Sequence, residues 1–191
     1  MKEKEYMRLE SDSIGTMEVP EDAYYGVQAL RAKENFPITG TKLHPVFIKN
    51  LAKIKRAAAI TNRKAGRLKP EIANAIEASA NEVICGMFDK DFIVDGIQGG
   101  AGTSANMNMN EVIANRAIEM LCGKKGDYTI VHPNDHVNMA QSTNDVIPTA
   151  GKLTVLDLLK PLDKSLSLLT EALYDKAEAV SYTHLRTHET R

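Results

Sequence analysis

Gln98-Gly-Gly-Ala-Gly-Thr-Ser104, followed by Ala105-Asn-Met-Asn-Met-Asn110, sets three glycines and two hydroxyls ahead of a helical pattern. Glycines let backbone N–H groups approach a ligand closely, and Thr103 and Ser104 add hydroxyl donors. The segment therefore reads either as a cradle for a carboxylate or phosphate, or as a tight turn and nothing more. It lacks the preceding apolar strand and the Gly-Lys-Ser/Thr ending of a nucleotide P-loop. Gly102, Thr103 and Ser104 are its candidate ligand-binding residues.

A second polar cluster, Val131-His-Pro-Asn-Asp-His-Val-Asn138, is followed closely by Gln141-Ser-Thr-Asn-Asp145. Ser142, Thr143 and Asn144 stand just before an apolar stripe, where they could cap a helix or hold a carboxylate oxygen; capping alone needs one of them. His132 and His136 are four apart and would share a helical face. Pro133 disfavours that geometry, and no Glu or Cys ligand set accompanies them, so no metal site is expected.

Around these clusters the pattern is mainly helical. Residues 7 to 40, punctuated by Gly15, Pro20, Gly26, Pro37 and Gly40, read as an extended arm with turns. Phe47, Ile48, Leu51, Ile54, Ala58 and Ala59 predict an amphipathic helix from Pro45 to about Ala65. A second helix should start at Pro70 and end near Gly86, burying Ile72, Ile76, Ser79, Val83 and Ile84. A third is expected from Asn110 to Leu121, ending at Gly123. From Asn144 the stripe of Val146, Ile147, Leu153, Leu156 and Leu159 predicts another helix, kinked or restarted near Pro161. Leu162, Leu166, Leu169, Leu173, Ala177 and Val180 continue at steps of three and four, a stripe suited to a long helix inside a bundle. Ser181 to Arg191, SYTHLRTHETR, drops that stripe and reads as a non-native tail.

Bulk properties narrow the function. The 191 residues carry a formal net charge of −1, which gives no field to attract nucleic acid or anionic lipid. No signal peptide and no membrane-length apolar run are present, and Cys85 and Cys122 lack partners at metal or redox spacing. The expectation is a cytoplasmic protein with two reduced thiols.

The two clusters, taken in order and at their separation, are similar to the signature segments of the aspartase/fumarase superfamily. The resemblance begins at Arg8-Leu-Glu-Ser-Asp-Ser-Ile-Gly15, passes through Ala23-Tyr-Tyr-Gly26, Arg31 and Glu34-Asn-Phe36, and covers residues 8 to 180. Gly99-Gly-Ala-Gly-Thr-Ser104 and Gln141-Ser-Thr-Asn-Asp145 look like the aspartase version, where fumarases tend to carry a TGSGTQ-like loop and a double serine. The implied fold is mainly α. Residues 1–143 would form an N-terminal lyase domain with its arm, residues 144–180 the start of the central helical bundle, and residues 181–191 the tail.

The resemblance implies reversible elimination of ammonia from L-aspartate to fumarate, with class II fumarase or a non-catalytic helical fragment as alternatives. It implies no cofactor, no nucleic-acid or membrane partner, and a homotetramer. Thr103, Ser142 and Thr143 would hold the β-carboxylate together with Gly102 and Ser104, and Asn144 would approach the amino group. His132, Asn134 and Asp135 match a secondary carboxylate site. The general-base serine belongs to a Gly-Ser-Ser loop lying beyond Val180 in the family, so these residues alone are expected to be inactive. Reading the source DNA past the codon for Val180 should reveal Gly-Arg-Thr-His and Gly-Ser-Ser segments; a frame that ends at Arg191 favours the non-catalytic fragment.

Overall fold

In the computed structural model, which describes residues 6–188 and side chains through Ser181, the region read as an extended arm holds three elements. Strands β1 (Met7–Ser11) and β2 (Thr16–Pro20) form an antiparallel hairpin with Arg8 opposite Val19 and Glu10 opposite Met17. Helix α1 (Val27–Asn35) follows. The local sequence does not announce α1, because its N-cap is Gly26 and no neighbouring side chain caps it. The caps arrive from far along the chain. Glu111 accepts the N–H groups of Gly26, Gln28 and Ala29 at 3.0, 2.8 and 3.0 Å, and Glu10 accepts that of Val27 at 3.0 Å. A β-carbon at Gly26 would collide with the Tyr128 hydroxyl and both carboxylates.

Arg8 secures the hairpin to the same region. Its guanidinium donates to the carbonyls of Pro20 (2.7 Å), Ala23 (2.8 Å) and Tyr25 (2.9 Å) and to Glu10 (2.8 Å).

The two stripes that begin at prolines are α2 (Pro45–Lys64) and α3 (Pro70–Ile84), each with its proline in the first turn, where the missing N–H has no helical partner to lose. Ile48, Leu51 and Ala52 of α2 join Ile76, Ala80 and Val83 of α3 in one buried cluster. Full burial of a large aliphatic chain there contributes roughly 1.5–3 kcal/mol.

Helix α4 (Thr103–Met120) begins at Thr103 rather than at the expected Asn110. Asparagines are weak helix formers, so the Asn-Met-Asn-Met-Asn run reads locally as loop. Tertiary bonds override that preference. Asn108 is fully buried, donates to the Asp91 carbonyl at 2.9 Å and accepts the Ile93 N–H at 3.0 Å.

A single π turn (Pro133–Val137) precedes α5 (Thr143–His188). Pro161 does not restart α5, whose helical backbone is continuous through it. It removes one N–H from an exposed run of a 46-residue helix, and the remaining ladder carries the helix across. The backbone of residues 181–188 also continues α5 where the apolar stripe ends, while residues 189–191 of the expected tail lie outside the described residues.

The chain divides after Leu153 into two compact units. The first holds everything up to the opening turns of α5. The second is the rest of α5, on which Leu156, Leu159, Leu162, Leu166, Leu169 and Leu173 are exposed. No described helix is long and apolar enough to cross a membrane.

Burial pushes the Glu111 carboxyl from 4.5 up to about 7, although its three N–H bonds favour the charged form. Between those values the folded chain holds a proton that the unfolded chain has released. Its stabilising contribution is therefore complete below about pH 4.5 and lost as the pH rises through about 7. In urea unfolding from about pH 4 to about pH 8, the stability difference between the parent and Glu111→Gln should fall by up to about 3 kcal/mol. A difference that ignores pH would overturn this reading of Glu111.

Candidate functional site

The glycine loop reverses the chain through consecutive left-handed residues, Gly100 (φ +74°), Ala101 (φ +52°) and Gly102 (φ +87°), and delivers it directly into α4. Gly102 is required there twice over: a side chain would be strained at that φ, and its β-carbon would lie 2.8 Å from Ile147 Cγ2. The loop thus abuts α5 one turn beyond its start. Gln98 staples the loop to α4, since its Oε1 accepts the Ala105 N–H at 2.7 Å and its Nε2 donates to the Asp95 carbonyl at 2.8 Å. Thr103 donates both its N–H (3.1 Å) and its hydroxyl (2.6 Å) to the Gly100 carbonyl. Among the described residues the Ser104 N–H has no acceptor, leaving an open donor at the positive end of α4.

Ser142 caps α5, with its Oγ accepting the Asn144 N–H at 3.2 Å. This is the capping role that the sequence permits, and it uses a lone pair rather than the hydroxyl proton. The Thr143 Oγ1 likewise accepts, from Asn106 Nδ2 at 3.0 Å. Among the described residues, neither hydroxyl proton has an acceptor, and the exposed Asn144 amide makes no side-chain bond. Ser142, Thr143 and Asn144 therefore offer unclaimed donors at the N-terminus of α5. The Asn106–Thr143 bond places them beside the first turn of α4.

His132 behaves as a cap. Its Nδ1 accepts the N–H groups of Asn134 (3.2 Å) and Asp135 (3.1 Å), and its own N–H donates to His136 Nδ1 at 2.9 Å. Both Nδ1 atoms thus face backbone N–H groups, and the Asp135 carboxylate lies 3.3 Å from His132 Nδ1. Pro133 starts this π turn rather than preventing it, because the first position needs no N–H. Asn134 borders a recess of about 300 Å³ together with Ser104, Gln28, Asn35 and the Asp12–Arg31 pair; His132 and Asp135 do not line it. The two sets of residues singled out in the sequence thus meet through Ser104 and Asn134.

Behind the cradle lies a buried polar line in which Lys55, Asn138 and Asn106 carry contacts that the sequence reading leaves unassigned. Lys55 is fully buried and donates from Nζ to Asn138 Oδ1 at 2.8 Å; burial pushes its ammonium down to about 7. The same Asn138 oxygen accepts from Asn106 Nδ2 at 3.1 Å. Lys55 occupies a core position in the ladder Ile48, Leu51, Lys55, Ala59. A lysine on an apolar stripe was the available signal.

The assembled groups are suited to anion binding. Two helix N-termini adjoin, hydroxyl and amide donors face outward from them, and a buried amino group polarises the amides behind.

Similarity to known proteins agrees with this geometry. The chain is 51% identical over 172 residues to a Bacillus protein named aspartate ammonia-lyase, a match covering 90% of this chain and 37% of the relative. It is 53% identical over 173 residues to the fumarate hydratase class II of Halobacterium salinarum, again covering 90% of this chain and 37% of the relative. A crystal structure of a Brucella melitensis protein described as fumarate lyase:delta crystallin, bound to cobalt, matches with a TM-score of 0.89 at 46% identity, over 91% of this chain and 38% of that one. The chain spans about 37% of the length of the curated relatives it matches. A family model described as Lyase matches residues 15–189, and the chain belongs to that lyase family.

Proposed function

We propose that the protein to which this chain belongs catalyses reversible elimination of ammonia from L-aspartate to give fumarate. The observation that carries the proposal is the pair of unclaimed hydroxyl protons on Ser142 and Thr143 at the start of α5, beside the glycine loop. The weakly acidic C–H next to the β-carboxylate loses its proton, and its electron pair moves into that carboxylate to give an aci-carboxylate dianion. The pair then returns to form the C=C bond as the C–N bond breaks and ammonia leaves. Donors already aimed at the carboxylate stabilise the dianion more than the substrate.

In this reading Thr103, Ser142 and Thr143 hold the β-carboxylate with the Gly102 and Ser104 backbone, and Asn144 approaches the amino group. Thr103 must turn its hydroxyl away from the Gly100 carbonyl to take part. His132, Asn134 and Asp135 form a secondary carboxylate site, entered from the recess that Asn134 borders. The base is supplied by a serine loop outside these residues. The exposed leucines of α5 are the bundle face of a homotetramer, and Cys85 and Cys122, both free and exposed, suit a cytoplasmic protein.

The Halobacterium salinarum relative supports a second reading, hydration of fumarate to malate, while the Gly99–Ser104 loop and Gln141–Asp145 segment favour aspartate. In the full-length enzyme, Thr143→Ala should lower kcat/KM for fumarate formation from L-aspartate by about 100- to 1,000-fold, with an unchanged circular dichroism spectrum. Unchanged kinetics would remove Thr143 from the site. Turnover of L-malate without turnover of L-aspartate would establish the fumarase reading instead.

A further inference from the structure

We propose that Asn106 is a positioning residue that directs the Thr143 hydroxyl proton toward the bound carboxylate; the inference rests on the reading of Thr143 as a carboxylate donor. The polarity of the chain of bonds starts at the Gln141 carbonyl. A carbonyl can only accept, so Asn138 must present Nδ2 to it (3.2 Å) and turn its Oδ1 to Lys55 Nζ, which donates at 2.8 Å. That oxygen can admit only another donor, so Asn106 must present Nδ2 to it (3.1 Å). The second proton of the same nitrogen then reaches Thr143 Oγ1 at 3.0 Å. Thr143 accepts on its inner side, and its single proton is left for the side on which the cradle opens.

A second observation supports this orientation. Asn106 is 1% exposed, and its Oδ1 is buried without a hydrogen-bond partner among the described residues. An unpaired buried acceptor loses its hydration without compensation, and such groups are uncommon in folded chains. The opposite amide orientation would set Oδ1 against Asn138 Oδ1, oxygen facing oxygen. Asn106 therefore keeps the orientation that serves Asn138 and Thr143 while its own oxygen goes unpaired. An apolar residue of similar size would fill the space without that penalty. It would also leave the Thr143 proton free to turn inward.

A double-mutant cycle in the full-length enzyme, assayed with L-aspartate, tests the assignment. Asn106→Leu should lower kcat by at least about tenfold, the scale of one hydrogen bond, with little change in KM. On a Thr143→Ala background it should lower kcat no further, because no hydroxyl remains to direct. On a Ser142→Ala background it should lower kcat by its full factor, since Asn106 makes no bond to Ser142.

Asn106→Asp repeats the cycle should the leucine variant fail to fold. The introduced carboxylate accepts rather than donates, so it should draw the Thr143 proton inward and give the same coupling pattern. Equal losses from the Asn106 substitution on the Thr143→Ala and Ser142→Ala backgrounds would overturn the proposal and reduce Asn106 to a packing residue. A Thr143→Ala enzyme with unchanged kcat/KM would instead overturn the cradle reading, and the positioning role with it.

Discussion

Thirteen residues of α4 are buried, and among them Asn106, Asn108, Asn110, Glu111 and Asn115 carry groups that water cannot reach. Burying such groups without partners would cost more than the apolar contacts around them return. Most of them therefore recruit a peripheral segment. Glu111 collects the N–H groups of Gly26, Gln28 and Ala29 and so starts α1. Asn108 holds the chain at Asp91 and Ile93. Asn115 donates to the Tyr24 carbonyl at 2.9 Å and accepts the Gly126 N–H at 2.7 Å, binding together two segments more than a hundred residues apart. Asn106 reaches Asn138 and Thr143 and so fixes the start of α5. Removing this demand for partners would leave the apolar cluster of α2, α3 and α4 able to form, with much less to specify where the hairpin, α1 and the second polar segment sit.

The same economy produces the candidate site. A helix N-terminus has orphan N–H groups whatever the protein does, and here two such ends are brought side by side by one asparagine. The local capping needs are met sparingly. Gln98 satisfies Ala105, Ser142 satisfies Asn144 with a lone pair, and His132 satisfies Asn134 and Asp135 with its Nδ1. Hydroxyl protons and the Ser104 N–H remain for a ligand. An anion arriving there exchanges water for donors already in place, the condition under which electrostatic stabilisation of a developing charge is strongest. The recess bordered by Ser104 and Asn134 opens the α4 side of this region to solvent, and Ser142 and Asn144 are themselves exposed.

Features legible in the sequence were those with local causes. Pro45 and Pro70 mark helix starts because a proline in the first turn loses no bond, and the glycines of residues 99–102 mark a tight turn, with positive φ at Gly100 and Gly102. The polar clusters were legible because packed cores have no use for Ser142, Thr143 and Asn144 together. Pro161 misleads as a restart signal, because the helix loses one N–H there and continues on the bonds to either side. The start of α1 and the first turns of α4 were illegible because Glu111 and Asn108 act across long stretches of chain, where spacing carries no signal.

The amino-acid sequence by itself determined the α2–α3 pair, the helical run from about Asn144, the donor chemistry of the two clusters and the family whose motifs they match, all through short-range periodicity and residue type. Only the tertiary structure decided which of those donors remain free. It made His132 a cap, turned the Thr103 hydroxyl onto the Gly100 carbonyl, and placed a buried Lys55 behind Asn138 and Asn106. The physical reason is that a hydroxyl or imidazole becomes a ligand-binding group only by having no nearer partner, and partners are a property of the packed chain.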